Sequence, residues 1–259
     1  MYYILLPAYN EERDIATLLE RIRAALTELQ INYQLLVVND GSRDRTLEIL
    51  RQMQLDLPME ILDHGVNQGL GQAMLTGLQR AVELVKDEDV VITMDADNTH
   101  DPHLIGAMRD RILQGADVVI ASRYEHGGQE VGLSHLRSFL SRGASTLLKF
   151  FFPIQGVKDF TCGYRAYRGA ALKRAFAVYG DHFVEERGFT CMAEILIKMG
   201  AVAVRVAEVP LVLRYDLKFG PSKMKVMRTI LRYFVLIGKN LGGRSQHTTH
   251  PPSPKGWVQ

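Results

Sequence analysis

Residues 2–42 read YYILLPAYNEERDIATLLERIRAALTELQINYQLLVVNDGS, and the fold class follows from them. Residues 2–6 are an apolar and aromatic run of strand length closed by a proline. Across 12–29 the period changes: Ile15, Leu18, Leu19, Ile22 and Leu26 recur at helical spacing. Residues 34–38 form a second strand, ended by the turn-forming Asp40-Gly41. Strand, helix and strand in this order make a βαβ unit, which calls for parallel pairing.

The alternation continues outward. A helix is expected over 43–53, strands over 59–62, 90–94 and 118–121, and helices over 71–85 and 102–113. The predicted fold is α/β, a mostly parallel sheet flanked by helices on both faces. With 259 residues, 47% hydrophobic and 23% charged, the composition is ordinary for a globular protein. One domain is expected over 1–242, its last part (223–242) a basic amphipathic helix. The tail at 243–259, rich in Gly, Pro, Ser and His, is expected to be disordered.

Cys162 and Cys191 lie in no CxxC or Cys/His spacing, which argues against structural zinc or a disulfide framework. The N-terminus shows no secretory pattern, and no run reaches the roughly 18–20 apolar residues of a spanning helix. A cytoplasmic protein, soluble or peripheral on the cytoplasmic face of a membrane, is expected. The net charge is only +2, yet from Arg214 onward nine Lys/Arg stand against the single acid Asp216. A basic end on an acidic body calls for a phosphate or an anionic lipid surface, and no nucleic-acid partner is expected.

In open α/β sheets the ligand lies beyond the carboxyl ends of the strands. The residues just after each strand are therefore the candidates: Pro7-Ala8-Tyr9-Asn10-Glu11, Asn39-Asp40-Gly41-Ser42, Asp95-Ala96-Asp97 and Ser122-Arg123. Asp95 and Asp97 end the run VVITM, and residues two apart on an extended chain face the same side. Both carboxylates can then address one Mg²⁺ or Mn²⁺ shared with substrate phosphates. Tyr9 suits a base or ribose face, and Glu11 and Asp40 suit their hydrogen-bonding edges. The plainer alternatives are a helix cap at Asn10 and an Asp-Gly turn at Asp40.

In combination these segments are specific. PAYNEE, VVNDGS, the Gly69-Leu70-Gly71 turn, MDADNTHDP and ASRY, in this order, resemble the family 2 glycosyltransferases of the GT-A fold. SRYEHGGQEVGLSHLRSFLSRGAS, KDFTCGYRAYR, GFTCMAEI, EVPLVLRYD and FGPSKM resemble the dolichol-phosphate mannose synthase branch. The resemblance implies nucleotide contacts from Pro7, Tyr9 and Glu11 and a base- or ribose-binding role for Asp40. It also implies diphosphate and metal contacts from Asp95, Ala96 and Asp97, and sugar-phosphate contacts from Arg123 and Arg137. Ser222 and Lys223 match a loop closing over the nucleotide. Two departures stand out. Asn39 replaces a common aspartate, and shifted spacing before Ser222 leaves Arg214 and Lys218 both as candidates for the loop's arginine. Dinucleotide binding is set aside, because Met74 stands where the third glycine of GxGxxG belongs.

The implied activity is inverting transfer of a hexose, GDP-mannose to a polyprenyl or dolichyl phosphate in our reading. A phosphate acceptor is already anionic and needs cations, for which Arg123, Arg137, Arg165, Arg214, Lys218 and Lys223 are at hand. A hydroxyl acceptor, with a UDP-sugar donor, would need a base; Asp159 is the first candidate and Glu194 the second. A nucleotide-sugar-binding pseudoenzyme subunit ranks lower, since carboxylates and cations are all present. Residues 135–152 and 223–239 mix apolar and basic side chains; the second is expected to meet a membrane surface or a membrane subunit, while for 135–152 a core helix with a solvated basic edge is an equal alternative.

Overall fold

The computed structural model describes residues 1–133, 135–217 and 226–243; within these, the side chains of 135–137, 217, 226–228 and 240–243 lie outside the description. The expected disordered tail and most of the Ser222–Lys223 loop therefore fall outside it.

The opening unit is β1 (Tyr2–Ala8), α1 (Ile15–Glu28) and β2 (Tyr33–Asn39), with β1 and β2 parallel from Tyr2↔Tyr33 to Ala8↔Asn39. The helical stripe read from sequence is the buried face of α1: Ile15, Leu18, Leu19, Ile22 and Leu26 are all in the core. Next come α2 (Thr46–Met53), β3 (Met59–Asp63), α3 (Leu70–Leu84), β4 (Val90–Thr93), α4 (Leu104–Leu113) and β5 (Val118–Ser122). Each falls within a few residues of its expected span, and the differences lie at the ends, where caps and turns decide.

The rest is β6 (Gln129–Val131), α5 (His135–Phe151), β7 (Arg165–Arg168), α6 (Gly169–Tyr179), α7 (Cys191–Ala201), β8 (Val206–Pro210), β9 (Val212–Arg214) and α8 (Val226–Gly243). The main sheet runs β3-β2-β1-β4-β7-β5-β8, and β6 pairs with β9 in a small parallel ribbon. Pairing is parallel except that β7 enters between β4 and β5 antiparallel to both. Its sequence, RAYR, carries two arginines and gives little strand signal.

That insertion corrects one expectation. Arg165, counted above among the phosphate-binding cations, is fully buried in the sheet. Its guanidinium donates to the carbonyls of Met192 (2.6 Å) and Phe160 (2.9 Å). A buried cation must find such partners, so this one is spent on the fold.

Because β1, β2, β4 and β5 run the same way, their carboxyl ends open on one side of the sheet. Across that opening lie α5 and α8, which pack on each other. Residues Tyr233, Leu236 and Ile237 of α8 are buried at i, i+3 and i+4. No helix among the described residues is long and apolar enough to cross a membrane.

Candidate active site

The strand-end loops enclose a cavity of about 1000 Å³. Its floor contains Pro7, Ala8, Tyr9, Glu11, Asp40, Asp95, Ala96, Asp97 and Arg123, all of them residues expected from sequence. The first two loops are laced together. Asn10 takes a left-handed backbone (φ 53°), receives the Arg43 N–H on its Oδ1 (2.8 Å) and donates its own N–H to Ser42 (3.0 Å). Glu11 N–H donates to Thr46 Oγ1 (2.8 Å). Asn10 thus ties two loops, and Asp14 stands at the helix-capping position instead.

Asp40 is nearly inaccessible and its carboxylate is heavily engaged. It meets His64 Nδ1 (2.9 Å) and accepts from Asn67 Nδ2 (2.9 Å) and the N–H groups of Gln68 (2.8 Å) and Gly69 (2.9 Å). Through these bonds it shapes the 64–69 turn that forms one wall of the cavity. Gly41 (φ 64°) is required there, because a Cβ would overlap the Val66 backbone. At Gly71 a side chain would overlap the Glu186 carbonyl, and its N–H donates to Arg187 O (3.0 Å). The Gly69-Leu70-Gly71 turn therefore seats the 186–187 segment against the start of α3.

Asp95 and Asp97 follow β4 and both line the cavity with Ala96 between them. Thr99 Oγ1 donates to Asp97 Oδ1 (2.7 Å), fixing that carboxylate. Asp95 N–H points to His100 Nδ1 (3.3 Å), and the His100 ring stacks on Tyr164 (4.9 Å). Gly163 comes so close that a Cβ there would lie 3.5 Å from Asp95 Oδ1. The described residues hold no group of three or more His, Cys, Asp or Glu suited to a metal. Two adjacent hard-oxygen donors fit a Mg²⁺ or Mn²⁺ whose other ligands are substrate phosphates and water.

Arg123, after β5, is 9% exposed and sits between two carboxylates. It donates to Asp159 through Nε and Nη2 (both 2.8 Å) and to Glu130 through Nη1 (3.1 Å). Burial alone would lower its pKa, but the Asp159 charge outweighs this and raises the guanidinium well above its ordinary value. For Asp159, burial works upward, and Arg123 with the Thr161 N–H overcomes it to hold the carboxyl below the ordinary range. Asp159 has no exposure, is absent from the cavity wall and is bonded on both oxygens. It holds Arg123 in place and is unsuited to the base role considered above.

Glu194 is equally committed. It accepts the N–H groups of Glu185 (2.9 Å) and Glu186 (2.8 Å) and pairs with Lys198 (2.8 Å). Cys162 lines the cavity, but burial pushes its thiol up to about 12, so it stays protonated at neutral pH and is no nucleophile. Arg214 is exposed, points into a bidentate pair with Asp216 (2.7 Å) and does not reach the wall. Lys218, Ser222 and Lys223 lie outside the described residues, as does the Arg137 side chain on α5.

Several wall residues had no site role assigned from sequence. Arg232 of α8 donates to both oxygens of buried Glu186 (2.6 and 3.0 Å), and Glu186 also accepts from Thr190 Oγ1 (2.8 Å). This pair fastens α8 over the cavity, bringing in Thr229, Ile230 and Tyr233. With Leu133, Leu140 and Ala144 from around α5, and Phe189 and Leu213, they make one part of the cavity wall apolar. Arg187 also lines the wall. The 184–190 loop shows no periodicity, and although Gly188-Phe189-Thr190 open one of the quoted motifs, its place in the wall emerges from packing.

Comparison with known proteins agrees with this geometry. Residues 3–176 match the family described as glycosyl transferase family 2. The dolichol-phosphate mannosyltransferase of Pyrococcus furiosus is 32% identical over 231 residues, 89% of this chain and 60% of that protein. This chain thus spans less than two thirds of the Pyrococcus protein. The polyprenol monophosphomannose synthase of Mycolicibacterium smegmatis is 30% identical, covering 85% of this chain and 80% of the relative. Among solved structures, glucosyl-3-phosphoglycerate synthase from Mycobacterium tuberculosis, in complex with Mn²⁺, UDP and glucosyl-3-phosphoglycerate, has a TM-score of 0.65 at 18% identity. That match covers 100% of this chain and 84% of the other, a likeness of GT-A fold. Fold, motif order and relatives agree: the chain belongs to glycosyl transferase family 2, in its dolichol- and polyprenyl-phosphate mannosyltransferase-like branch.

Proposed function

We propose that this chain transfers a sugar, mannose from GDP-mannose in our reading, to a polyprenyl or dolichyl phosphate at the cytoplasmic face of a membrane. The observation that carries the reading is the mixed wall of the cavity. Strand-end carboxylates and turns supply one part of it, and Leu133, Leu140, Ala144, Ile230 and Tyr233 supply an apolar part. A nucleoside-diphosphate sugar suits the first part and an isoprenoid chain the second.

On the donor side, Pro7, Tyr9 and Glu11 take the nucleoside, with Asp40 acting through the turn it shapes. Asp95 and Asp97 would hold Mg²⁺ or Mn²⁺, which when bound supplies positive charge to the departing diphosphate. The lipid phosphate oxygen forms the new bond to the anomeric carbon as the bond from that carbon to the diphosphate oxygen breaks. Arg123 faces the cavity from its carboxylate cradle and orients the anionic groups, joined in this reading by Arg137, Lys218, Ser222 and Lys223.

The competing reading, a UDP-sugar and a hydroxyl acceptor, needs a general base. Asp159 and Glu194 are tied up as described. Glu185 lines the cavity, and burial works to raise it, but Lys198 (3.2 Å) overcomes this and holds it below its ordinary value. A phosphate acceptor asks for no base, and that favours it here.

The outer faces of α5 and α8 support the membrane location. Phe139 and Phe150 on α5 and Leu231, Phe234 and Val235 on α8 are exposed, an unusual density of large apolar groups. The test is a donor and acceptor screen. Purified protein, Mg²⁺ or Mn²⁺ and a panel of GDP- and UDP-sugars are assayed for nucleotide release with and without polyprenyl phosphate in detergent. Release of GDP from GDP-mannose only when the lipid is present is the expected result. Release from a UDP-sugar, indifferent to lipid phosphate, would transfer the site to the hydroxyl reading.

A further inference from the structure

Outside the active cavity, α5 and the loop after β5 enclose a second hollow of about 470 Å³. Arg142, Lys149 and Lys158 line it with Tyr124, Thr146 and one acid, Glu125. Lys158 is paired with Glu125 (2.7 Å). Arg123 forms part of the wall, with its charge already met by Asp159 and Glu130. Arg142 lies over the Tyr124 ring, 5.4 Å from its centroid. Neither Arg142 nor Lys149 makes an ion pair with a described residue, so two cations of the hollow have no acidic partner among those residues.

Its position on α5 gives that charge a direction. Phe139, Arg142, Thr146, Lys149 and Phe150 recur at spacings of three and four and share the exposed face of the helix. Phe139 is 72% exposed and Phe150 is 79% exposed, so an aromatic side chain stands on either side of the basic hollow along the helix axis. Apolar rings that reach into acyl chains, with cations between them at headgroup level, form the pattern of an interfacial anionic-lipid site.

We infer that this hollow binds the phosphate headgroup of an anionic bilayer phospholipid, separately from the acceptor site. Arg142 and Lys149 contact the phosphate, while Phe139 and Phe150 enter the interface. The inference rests on the membrane reading above. It goes beyond it by assigning lipid selectivity to the exposed face of α5, at a hollow whose lining shares Arg123 alone with the active cavity.

The experiment is co-sedimentation of the full chain with phosphatidylcholine vesicles, with and without phosphatidylglycerol, for wild type, Arg142→Gln/Lys149→Gln and Phe234→Glu. Wild type is expected to prefer the anionic vesicles, and added salt should erase the preference without any mutation. The double variant should bind anionic vesicles on the order of thirtyfold more weakly, at about one kcal/mol per removed cation. Its binding to neutral vesicles, thermal midpoint and turnover in detergent should match wild type. Phe234→Glu should weaken binding to both kinds of vesicle. A double variant that keeps the anionic preference overturns the inference. So does a wild type indifferent to lipid charge, which leaves the membrane reading standing. If wild type sediments with neither vesicle, the membrane reading falls and takes this one with it. If calorimetry shows glycerol phosphate saturating the hollow while vesicles carry no charge preference, the occupant is a soluble anion and the bilayer assignment is wrong.

Discussion

Two parts of the active-cavity wall are held by different forces. In the strand-end loops, main-chain hydrogen bonds and the parallel register of β1, β2 and β4 place every motif. Asn10, Asp40 and Asp97 then bond to nearby backbone or to one another's loops. Elsewhere around the cavity the important ties join charged side chains from separate elements: Arg123 with Asp159 and Glu130, and Arg232 with Glu186. A register is fixed as long as the sheet exists. An ion pair can be opened by one substitution, or by pH where a partner titrates. The strand-end loops are therefore a rigid template, and the part of the wall closed by α8 is an assembly whose pieces can be separated.

The sharpest test of that contrast is Asp97→Ala. Its carboxylate accepts from Thr99 in the loop after β4, beyond the paired strand residues, so the sheet should survive its loss. Turnover should fall by roughly a thousandfold, the several kcal/mol that a bound metal supplies to a leaving group. Circular dichroism and the thermal midpoint should stay near wild type. Unchanged turnover would remove the metal assignment, and a collapsed fold would mean that the template is less rigid than its register implies.

The second test acts on the buried ion pair. Asp159→Ala leaves Arg123 in the interior without its main partner, which should cost about 3–5 kcal/mol of stability in denaturant unfolding. The sign of the pH dependence is fixed by the lowered Asp159 pKa. Its contribution is complete above the ordinary aspartate value and is lost as pH falls through the depressed folded value. The stability gap between wild type and Asp159→Asn should therefore be widest near neutrality and close in strong acid. An Asp159→Asn protein that is as stable as wild type yet inactive would restore Asp159 as a catalytic base.

The same contrast explains what could be read in the sequence. Short apolar runs gave β1 to β5, since central strands covered on both faces are apolar throughout, and helical spacing gave α1 to α4. The cavity-lining positions were legible because a parallel strand must deliver its carboxyl end to the rim, so Pro7, Tyr9, Glu11, Asp40, Asp95 and Asp97 needed only strand positions. Arg123 was placed correctly at the cavity for the same reason. Nothing local distinguished Arg123 from Arg165. One reaches the cavity and the other is buried in the antiparallel β7, and the difference is set by a pairing that RAYR does not announce. Asp159 and Glu194 were legible as acids but not as structural ones, since their partners come from Arg123 and Lys198 across the fold. Glu186 and Arg232 gave no sign of each other, standing 46 residues apart in a loop and a helix.

The smallest expected effect is at that last pair, and it isolates the part of the wall closed by α8. Arg232 is 45% exposed at its side chain, so water and salt screen much of its attraction to Glu186. A pair of this kind is worth about 0–1 kcal/mol, which limits the loss on Glu186→Ala to roughly fivefold. What matters is where the loss falls. Thr229, Ile230 and Tyr233 reach the cavity from the helix that Arg232 fastens, whereas Tyr9, Asp40 and Asp97 are placed by strands that Glu186 does not touch. Loosening α8 should raise the KM for polyprenyl phosphate and speed amide exchange across the helix, leaving nucleotide affinity by calorimetry unchanged. Arg232→Ala should do the same, and the double variant should add little, because each single change already breaks the bond. Equal losses in lipid KM and nucleotide affinity would show that the two parts are mechanically one. The contrast between register and ion pair would then describe only how the cavity is built, with no bearing on how it works.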